Sequence, residues 1–251
     1  MIDIHCHLVH GVDDGSRTLE ETLLMLEEAK KAGFTDIILT PHYSNYFHIP
    51  ANEIQEKIEE INTSQNTGIN LYHGNEIYIS TTLVEDLKTS KTVSLNNGKY
   101  VLFELPMNNN PIYIDEVIYS ILDEKKIPII AHPERYSFVQ EDPNMLIDYI
   151  ERGVLFQANY GSILGRYGKN AKETVKKLLT HNMIHFLGSD NHRTNTVYAE
   201  MKDSINELEK LLGKEYLNML STYNPERILK NENVDIDDPE EIKKKTWKFW
   251  K

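Results

Sequence analysis

With 251 residues, of which 40% are hydrophobic and 26% charged, the chain has the size and composition of one globular enzyme domain with a large core. Its net charge of −12 argues against a broad surface that binds the phosphates of a nucleic acid. An apolar run long enough to span a bilayer, a signal-peptide pattern and a disulfide framework are all absent from the sequence, which has one cysteine, so we expect a cytoplasmic protein.

Apolar, β-branched runs alternate with helical patterns along the chain. The clearest helix covers residues 18–31, where Thr18 and Glu21 form a capping box and Gly33 follows the end. Such alternation predicts right-handed βαβ units, and therefore an α/β protein whose seven parallel strands form a β/α barrel. The predicted strands are residues 1–4, 36–40, 69–75, 100–103, 127–131, 154–158 and 184–189, and the other predicted helices are residues 51–62, 113–125, 142–152, 170–181 and 198–212.

Histidines and carboxylates follow the C-terminal ends of these strands. His5 and His7 are two residues apart after the first strand, so in an extended chain both imidazoles point to the same side. Active sites of β/α barrels lie at the C-terminal ends of the strands, so we expect the residues placed there to meet. They are His5, His7, His42, Glu76, Glu104, His132, Asp190 and His192.

This set of side chains predicts a metal centre. Eight nitrogen and oxygen ligands are too many for one four-coordinate zinc and suit two or three divalent ions that share carboxylates. Imidazole–carboxylate ligation fits manganese, iron or zinc, with cobalt and magnesium as further candidates. Closely spaced ions of this kind promote phosphoryl hydrolysis. Any one of these residues could instead be an ordinary polar residue at a barrel rim, but that explanation does not account for eight residues placed alike.

Several segments resemble the polymerase and histidinol phosphatase (PHP) superfamily. They are residues 5–7, 40–42, 131–135 and 188–192. The opening through Asp13-Asp14-Gly15, with residues 74–78, 102–106 and 159–162, more narrowly resembles the metal-dependent protein-tyrosine phosphatases of bacterial capsule and exopolysaccharide operons. The resemblance covers about residues 1–215, although Tyr160 stands where relatives often have a small residue.

This resemblance implies a distorted seven-stranded, TIM-like barrel (the PHP fold). It also implies a trinuclear centre, usually assigned to manganese (Mn²⁺), in which the eight residues are the ligands. The implied substrate is a phosphotyrosyl protein, a bacterial tyrosine kinase that controls polysaccharide export.

Two arginines follow predicted ligands closely. Arg135 is three residues after His132, and Arg193 directly follows His192. Both can therefore lie at the rim of the barrel, where a guanidinium can bind phosphate through two hydrogen bonds. Arg193 could instead form a surface salt bridge.

Two further residues near the first strand could take part in catalysis. Asp14 could protonate the phenolate leaving group, or Asp13 and Asp14 could simply form a turn. Cys6 lies between two predicted ligands, but a cysteine-dependent phosphatase needs an arginine six residues after its nucleophile, and here that residue is Val12. We therefore do not expect a thiol mechanism.

Two other segments leave alternatives open. Residues 43–48 form an aromatic loop, which either lines a substrate groove or covers the barrel rim. Residues 1–230 are predicted to be one barrel domain, followed by a charged tail over residues 231–251. The lysines and tryptophans of this tail could make peripheral contact with an anionic membrane, but we favour a terminal helix that packs Ile242, Trp247 and Trp250 on the barrel.

The sequence therefore leads to one hypothesis and two alternatives. The hypothesis is a metal-dependent protein-tyrosine phosphatase that uses in-line attack by a metal-bridging hydroxide. The first alternative is a small-molecule phosphomonoesterase of the histidinol-phosphatase kind. The second is a non-catalytic, metal-stabilised protein that docks on the kinase.

Overall fold

A computed structural model describes residues 1–243, so the predicted packing of Trp247 and Trp250 lies outside the described residues. Strands and helices alternate, as the sequence predicts. The strands are β1 (Ile2–Asp3), β2 (Asp36–Leu39), β3 (His42–Tyr43), β4 (Asn70–His73), β5 (Glu76–Tyr78), β6 (Tyr100–Glu104), β7 (Ile127–Ala131), β8 (Leu155–Asn159) and β9 (Phe186–Gly188).

Every pair of neighbouring strands is parallel. One sheet has the order β1-β2-β4, and the other has the order β3-β5-β6-β7-β8-β9. A parallel bridge between Cys6 and Asn191 joins the segments that follow β1 and β9. The molecule is thus an α/β fold with a curled parallel sheet.

Two predicted strands, residues 36–40 and 69–75, are each followed after a break by a short strand that the sequence patterns missed, β3 and β5. Pro41 lies between β2 and β3, and proline has no N–H to donate to a sheet. Gly74 and Asn75 lie between β4 and β5, where the Asn75 amide donates to the Pro41 carbonyl at 3.0 Å and its oxygen accepts from the Val93 N–H at 3.0 Å. The Asn75 side chain therefore links the two breaks to each other and to Val93, while backbone hydrogen bonds from Gly74 to Leu39 and from Glu76 to Pro41 keep the strands paired.

The helices agree with the predictions over most of the chain. In α1 (Leu19–Lys31) the Thr18 hydroxyl accepts from the Glu21 N–H, while the Glu21 carboxylate binds the Arg17 N–H rather than that of Thr18. The other helices are α2 (Ala51–Ser64), α3 (Leu83–Lys88), α4 (Ile114–Asp123), α5 (Ser137–Glu141), α6 (Met145–Glu151), α7 (Lys169–Thr180), α8 (Met201–Leu212), α9 (Lys214–Asn218) and α10 (Asn224–Leu229). The sequence patterns missed α3, α5, α9 and α10.

Buried apolar side chains occupy both faces of the curled sheet. Alternate residues along β6 separate, because Tyr100 and Leu102 belong to the inner cluster while Val101 and Phe103 pack with the helices. Strands buried on both faces explain why the sequence shows continuous apolar runs rather than alternation. Among residues 1–243, none of the helices has the length and apolarity needed to cross a bilayer.

The described part of the C-terminal tail, residues 231–243, contains neither helix nor strand. The backbone of Ile242 exchanges two hydrogen bonds with the Asn144 side chain, at 2.9 and 3.1 Å. The Ile242 side chain packs against the main core. The rest of the predicted terminal helix, residues 244–251, lies outside the described residues.

Candidate metal centre

The centre is built around the buried carboxylate of Glu76, the first residue of β5. Its Oε2 atom lies 3.2 Å from His5 Nε2, 3.3 Å from His7 Nε2 and 3.0 Å from His42 Nδ1. Its Oε1 atom lies 2.9 Å from His132 Nε2. Within the described residues Glu76 Oε2 has no hydrogen-bond partner, although three imidazole nitrogens surround it. Such crowding without hydrogen bonds is the arrangement expected of atoms that share metal ions.

Asp190 brings a second carboxylate to the same imidazoles. Its Oδ1 atom lies 3.6 Å from His5 Nε2, 3.5 Å from His7 Nε2 and 3.5 Å from His192 Nδ1. Its Oδ2 atom accepts hydrogen bonds from Arg135 at 2.8 Å and from the Asn159 side-chain amide at 2.7 Å. One carboxylate oxygen is thus occupied by protein donors, while the other faces the histidines.

Glu104 and Asp14 complete the cluster on the side of His42. Glu104 Oε1 lies 3.4 Å from His42 Nδ1, and Glu104 Oε2 lies 3.9 Å from His132 Nε2. Asp14 Oδ1 lies 3.5 Å from His42 Nε2 and 3.4 Å from His192 Nε2. The structure therefore brings all eight predicted ligands together and adds Asp14, which the sequence analysis considered only as an acid or a turn residue.

Three overlapping groups of side chains have donor atoms within 4.8 Å of one another, close enough to hold a metal ion. The groups are His7, Asp14, His42 and His192; His5, His7 and Asp190; and His42, Glu76 and Glu104. All of them combine imidazole nitrogens with carboxylate oxygens, which are ligands that manganese, iron and zinc accept. The residues present therefore fit a centre with more than one divalent ion.

The pKa values of the buried carboxylates Glu76, Glu104 and Asp190 depend on the charges around them. Burial would raise the pKa of Glu76, but the imidazoles of His5 and His42 lower it well below its ordinary value. Burial and the neighbouring Glu76 carboxylate raise the pKa of Glu104. Burial of Asp190 is likewise outweighed by His5, so its pKa is well below the ordinary value. Divalent cations would relieve the repulsion between these carboxylates.

A chain of amide side chains from β8 links two of the predicted ligands. His5 Nδ1 lies 2.7 Å from Gln157 Oε1, Gln157 Nε2 donates to Asn159 Oδ1 at 2.9 Å, and Asn159 Nδ2 donates to Asp190 Oδ2 at 2.7 Å. Because the carboxylate can only accept, every amide in the chain has one orientation, and His5 must donate from Nδ1. The Nε2 atom of His5 is then unprotonated in the neutral ring and faces the centre.

Gly188 of β9 allows this chain to form. A Cβ atom at position 188 would lie 2.8 Å from Gln157 Nε2 and 2.9 Å from the His5 Cβ. Any larger residue would therefore push apart the strands that carry Gln157 and His5. The sequence patterns gave no signal for Gln157, which reads as one residue of a buried strand.

Asp13 orients the other histidine of the first pair. Its Oδ2 atom accepts from His7 Nδ1 and from the His42 backbone N–H, both at 2.9 Å, and its Oδ1 atom accepts from the Gly15 N–H at 2.8 Å. Asp13 thus forms the turn that the sequence analysis considered, and in addition directs His7 Nε2 towards Glu76.

Two residues of the centre have left-handed backbone conformations. His132 has φ of 35° and Asp190 has φ of 52°. Residues other than glycine rarely adopt this conformation, and such strain is concentrated at functional sites. The strain turns both side chains into the centre just after their strands end.

The two arginines differ in their surroundings. Arg135 forms an ion pair with Asp190 at 2.8 Å, and its guanidinium lies over the Tyr167 ring, 4.5 Å from the ring centroid. Arg193 donates from one nitrogen to the carbonyls of Gly15 and His192. Arg193 therefore joins the turn that carries Asp14 to the loop that carries His192.

Asp14 and Cys6 have opposite ionisation preferences. Contact with His192 lowers the pKa of Asp14 to about 2, so this carboxylate has no proton to donate near neutral pH. Burial raises the pKa of the Cys6 thiol well above its ordinary value, and its sulfur lies 3.6 Å from the Ile38 carbonyl oxygen. The raised pKa of Cys6 does not suit the nucleophile of a thiol-type phosphatase, and the lowered pKa of Asp14 does not favour its role as a proton donor to the leaving group.

Known proteins with related sequences span nearly the whole chain. The chain is 34% identical over 250 residues to the tyrosine-protein phosphatase YwqE of Bacillus subtilis, which covers 98% of each chain. It is 29% identical over 252 residues to the tyrosine-protein phosphatase CpsB of Streptococcus agalactiae serotype V, covering 93% of this chain and 100% of that one. The family model for capsular polysaccharide synthesis, CpsB/CapC, matches residues 1–230.

Solved structures agree with the sequence comparison. A chain from the crystal structures of YwqE from Bacillus subtilis and CpsB from Streptococcus pneumoniae, described as unique metal-dependent tyrosine phosphatases, matches with a TM-score of 0.91 and 33% identity over 97% of this chain and 100% of that one. A lactonase from Listeria monocytogenes shares only the fold, with a TM-score of 0.59 and 12% identity over 92% and 95% of the two chains. Because the family model covers most of the sequence and these relatives span nearly all of it, the chain belongs to the CpsB/CapC family of capsular polysaccharide synthesis.

Proposed function

We propose that this chain is a metal-dependent protein-tyrosine phosphatase. The observation that carries the proposal is the convergence of buried imidazole and carboxylate groups around Glu76 and Asp190, in a chain related to proteins named tyrosine-protein phosphatases. A protein that only docks on a kinase has no need of such a centre, so the geometry favours the catalytic hypothesis over the docking one.

The residues that would hold the metal ions are the eight predicted ligands together with Asp14. We propose two or three ions and manganese as the native metal, since mixed imidazole and carboxylate ligands suit it. When bound, such ions lower the pKa of water and stabilise negative charge on a phosphate. Gln157 and Asp13 would direct the Nε2 atoms of His5 and His7 towards the ions.

Arg135 and Arg193 are proposed to bind the phosphate of the substrate. A guanidinium has five N–H donors, and the contact of Arg135 with Asp190 uses only part of them. The stacking of Arg135 on Tyr167 restricts its motion, so that little entropy is lost when it binds an anion. For Asp14 we propose a carboxylate role beside His42 and His192, which its lowered pKa supports better than proton donation.

The architecture supports one barrel domain over residues 1–230. When β2 is counted together with β3, and β4 with β5, the strands number seven. The bridge from Cys6 to Asn191 connects the segment after the first strand to the segment after the last. We therefore propose a closed, distorted seven-stranded barrel of the PHP type. The centre would lie at the C-terminal ends of its strands, where barrel enzymes bind substrates.

The proposed substrate is a phosphotyrosyl protein, namely a bacterial tyrosine kinase of capsular or exopolysaccharide synthesis. Membership of the CpsB/CapC family supports the connection with capsule synthesis. We propose a cytoplasmic enzyme, which the buried, unpaired thiol of Cys6 supports.

The test replaces His5 with Ala in the full-length protein and measures bound metal together with phosphate release from a phosphotyrosyl peptide. We expect loss of turnover by a factor of 100 or more, on the order of the loss seen when a metal-site contact is removed, with a circular dichroism spectrum like that of the wild type. His181→Ala, which removes a half-buried histidine at the end of α7, is the matched control.

Chelation and reconstitution complete the test. The wild-type protein should lose activity to a chelator and regain it with Mn²⁺, and it should turn over the peptide faster than histidinol phosphate. Retained activity in His5→Ala, or wild-type protein with neither bound metal nor turnover after reconstitution, would refute the proposed function. Faster turnover of histidinol phosphate would favour a small-molecule phosphomonoesterase.

A further inference from the structure

A rigid turn after β3 presents aromatic side chains beside the metal centre. The hydroxyl oxygen of Ser44 accepts hydrogen bonds from the N–H groups of Tyr46 at 3.1 Å and Phe47 at 3.3 Å. The Ser44 N–H also donates to the Phe47 carbonyl at 2.8 Å. These three hydrogen bonds close the turn on itself, so its side chains are presented from a defined backbone.

The turn lies directly next to a predicted ligand. The Phe47 ring stacks on the His42 ring, with centroids 5.9 Å apart and planes inclined by 15°. Tyr46, one residue earlier, is 91% exposed. Phe47 therefore covers one side of the centre, while the Tyr46 ring extends into solvent at its edge.

Tyr78 extends this aromatic surface across the neighbouring strand. It is 39% exposed, and in the pairing of β5 with β6 it is the partner of Glu104, a predicted ligand. Partial burial raises the pKa of Tyr78, and the nearby Glu104, Tyr113 and Tyr46 raise it further. Tyr78 therefore lies beside Glu104 and two residues after Glu76, on the same side of its strand as that ligand, at the edge of the centre.

Tyr46, Phe47 and Tyr78 form a surface that we call the aromatic wall. It offers apolar contact for a phenyl ring, which the centre lacks. The centre consists of charged and polar groups, which can bind a phosphate but offer no apolar contact to a phenyl ring. Aromatic rings stack on one another, and a Tyr side chain loses little conformational entropy when it does so because it has few rotatable bonds. The Tyr46 ring contributes little to the stability of the free protein, because it is 91% exposed.

We propose that the aromatic wall binds the phenyl ring of a phosphotyrosyl substrate whose phosphate lies at the metal centre. This inference rests on the proposed function and makes Tyr46, Phe47 and Tyr78 specificity residues for aryl over alkyl phosphates. It favours a substrate groove as the role of residues 43–48, because Tyr46 is 91% exposed.

The experiment compares two stable phosphate analogues that differ only in the presence of the ring. Binding of phenylphosphonate and methylphosphonate to the full-length, Mn²⁺-loaded protein is measured by calorimetry, which does not require turnover. In Tyr46→Ala we expect the affinity for phenylphosphonate to fall about three- to tenfold, the range for loss of one aromatic pair. The affinity for methylphosphonate should not change.

Two further variants separate stacking from other effects. Tyr46→Phe keeps the ring and should restore the affinity for phenylphosphonate. Tyr119→Ala removes another exposed tyrosine, 70% exposed on α4, and should leave both affinities as in the wild type. Phe47 is left intact because its ring touches His42, so that its removal would also disturb the centre.

Each outcome has one meaning. If Tyr46→Ala binds both analogues like the wild type, or loses both to the same extent, the aromatic wall does not recognise the ring and the inference is overturned. If the wild-type protein binds phenylphosphonate no better than methylphosphonate, the inference also fails. Failure of the proposed function would appear separately, as absence of wild-type turnover on a phosphotyrosyl peptide.

Discussion

Replacing the buried Gln157 with Leu tests whether the amide chain prepares His5 for metal binding. The side chain of Gln157 accepts from His5 Nδ1 at 2.7 Å and donates to Asn159 Oδ1 at 2.9 Å. Leucine has a similar size but makes neither hydrogen bond. His5 would then lose the acceptor that orients its ring, and Asn159 would lose the donor that fixes its amide.

Gln157→Leu should lower both the free energy of unfolding and the metal affinity. Gln157 is fully buried, so the substitution leaves two buried polar groups without partners. Each such group costs about 1–3 kcal/mol, so we expect the free energy of unfolding to fall by about 2–6 kcal/mol. Loss of an outer contact to a metal-binding histidine costs about 10–100-fold in metal affinity, which is about 1.4–2.7 kcal/mol.

Calorimetric titration with Mn²⁺ and unfolding in urea measure the two quantities on the metal-free protein. Gln157→Glu is the informative partner, because a carboxylate still accepts from His5 but cannot donate to Asn159, so it should retain more metal affinity than Gln157→Leu. Gln65→Leu, at an exposed position, is the control. Wild-type metal affinity in Gln157→Leu would refute the reasoning, whatever happens to its stability.

Two further predictions concern ionisable groups. Because its lowered pKa leaves Asp14 ionised, Asp14→Asn should reduce kcat by a similar factor for p-nitrophenyl phosphate and for a phosphotyrosyl peptide. The peptide has the poorer leaving group, so a much larger loss with the peptide would instead indicate a general acid. Burial lowers the pKa of His185 to about 3, so below about pH 6.5 only the unfolded chain takes up this proton, and stability is lost as the pH falls towards 3. His185 should lower the free energy of unfolding by about 2 kcal/mol at pH 5 relative to pH 7. The side chain of His185→Gln cannot titrate, so urea unfolding of this variant should depend on pH less by that amount. An equal pH dependence in the two proteins would contradict the assignment.

The sequence alone indicated most of the elements and the residues of the candidate centre. Apolar runs bounded by helices predicted parallel strands, and the residues after those runs include the eight predicted ligands that the structure brings together around Glu76 and Asp190. This inference succeeds because parallel strands place all their C-terminal ends on one side, so that strand order is not needed to know which residues meet. The metal-binding roles themselves stay predictions.

Other features could be seen only in the tertiary structure. The sequence patterns did not indicate the short strands β3 and β5, nor the short helices such as α3 and α5. Short elements leave little periodicity to detect.

What the sequence by itself determined is therefore the composition of the centre, and what the tertiary structure decided is how its members are oriented. His5 and Gln157 are separated by 152 positions, and Arg193 and Gly15 by 178. Contacts of this kind depend on which strands become neighbours and on the register between them. Local residue patterns specify the face and the end of a strand, but the register arises from the packing of the whole sheet, and only that packing places an amide, a carboxylate or an exposed ring beside a particular histidine.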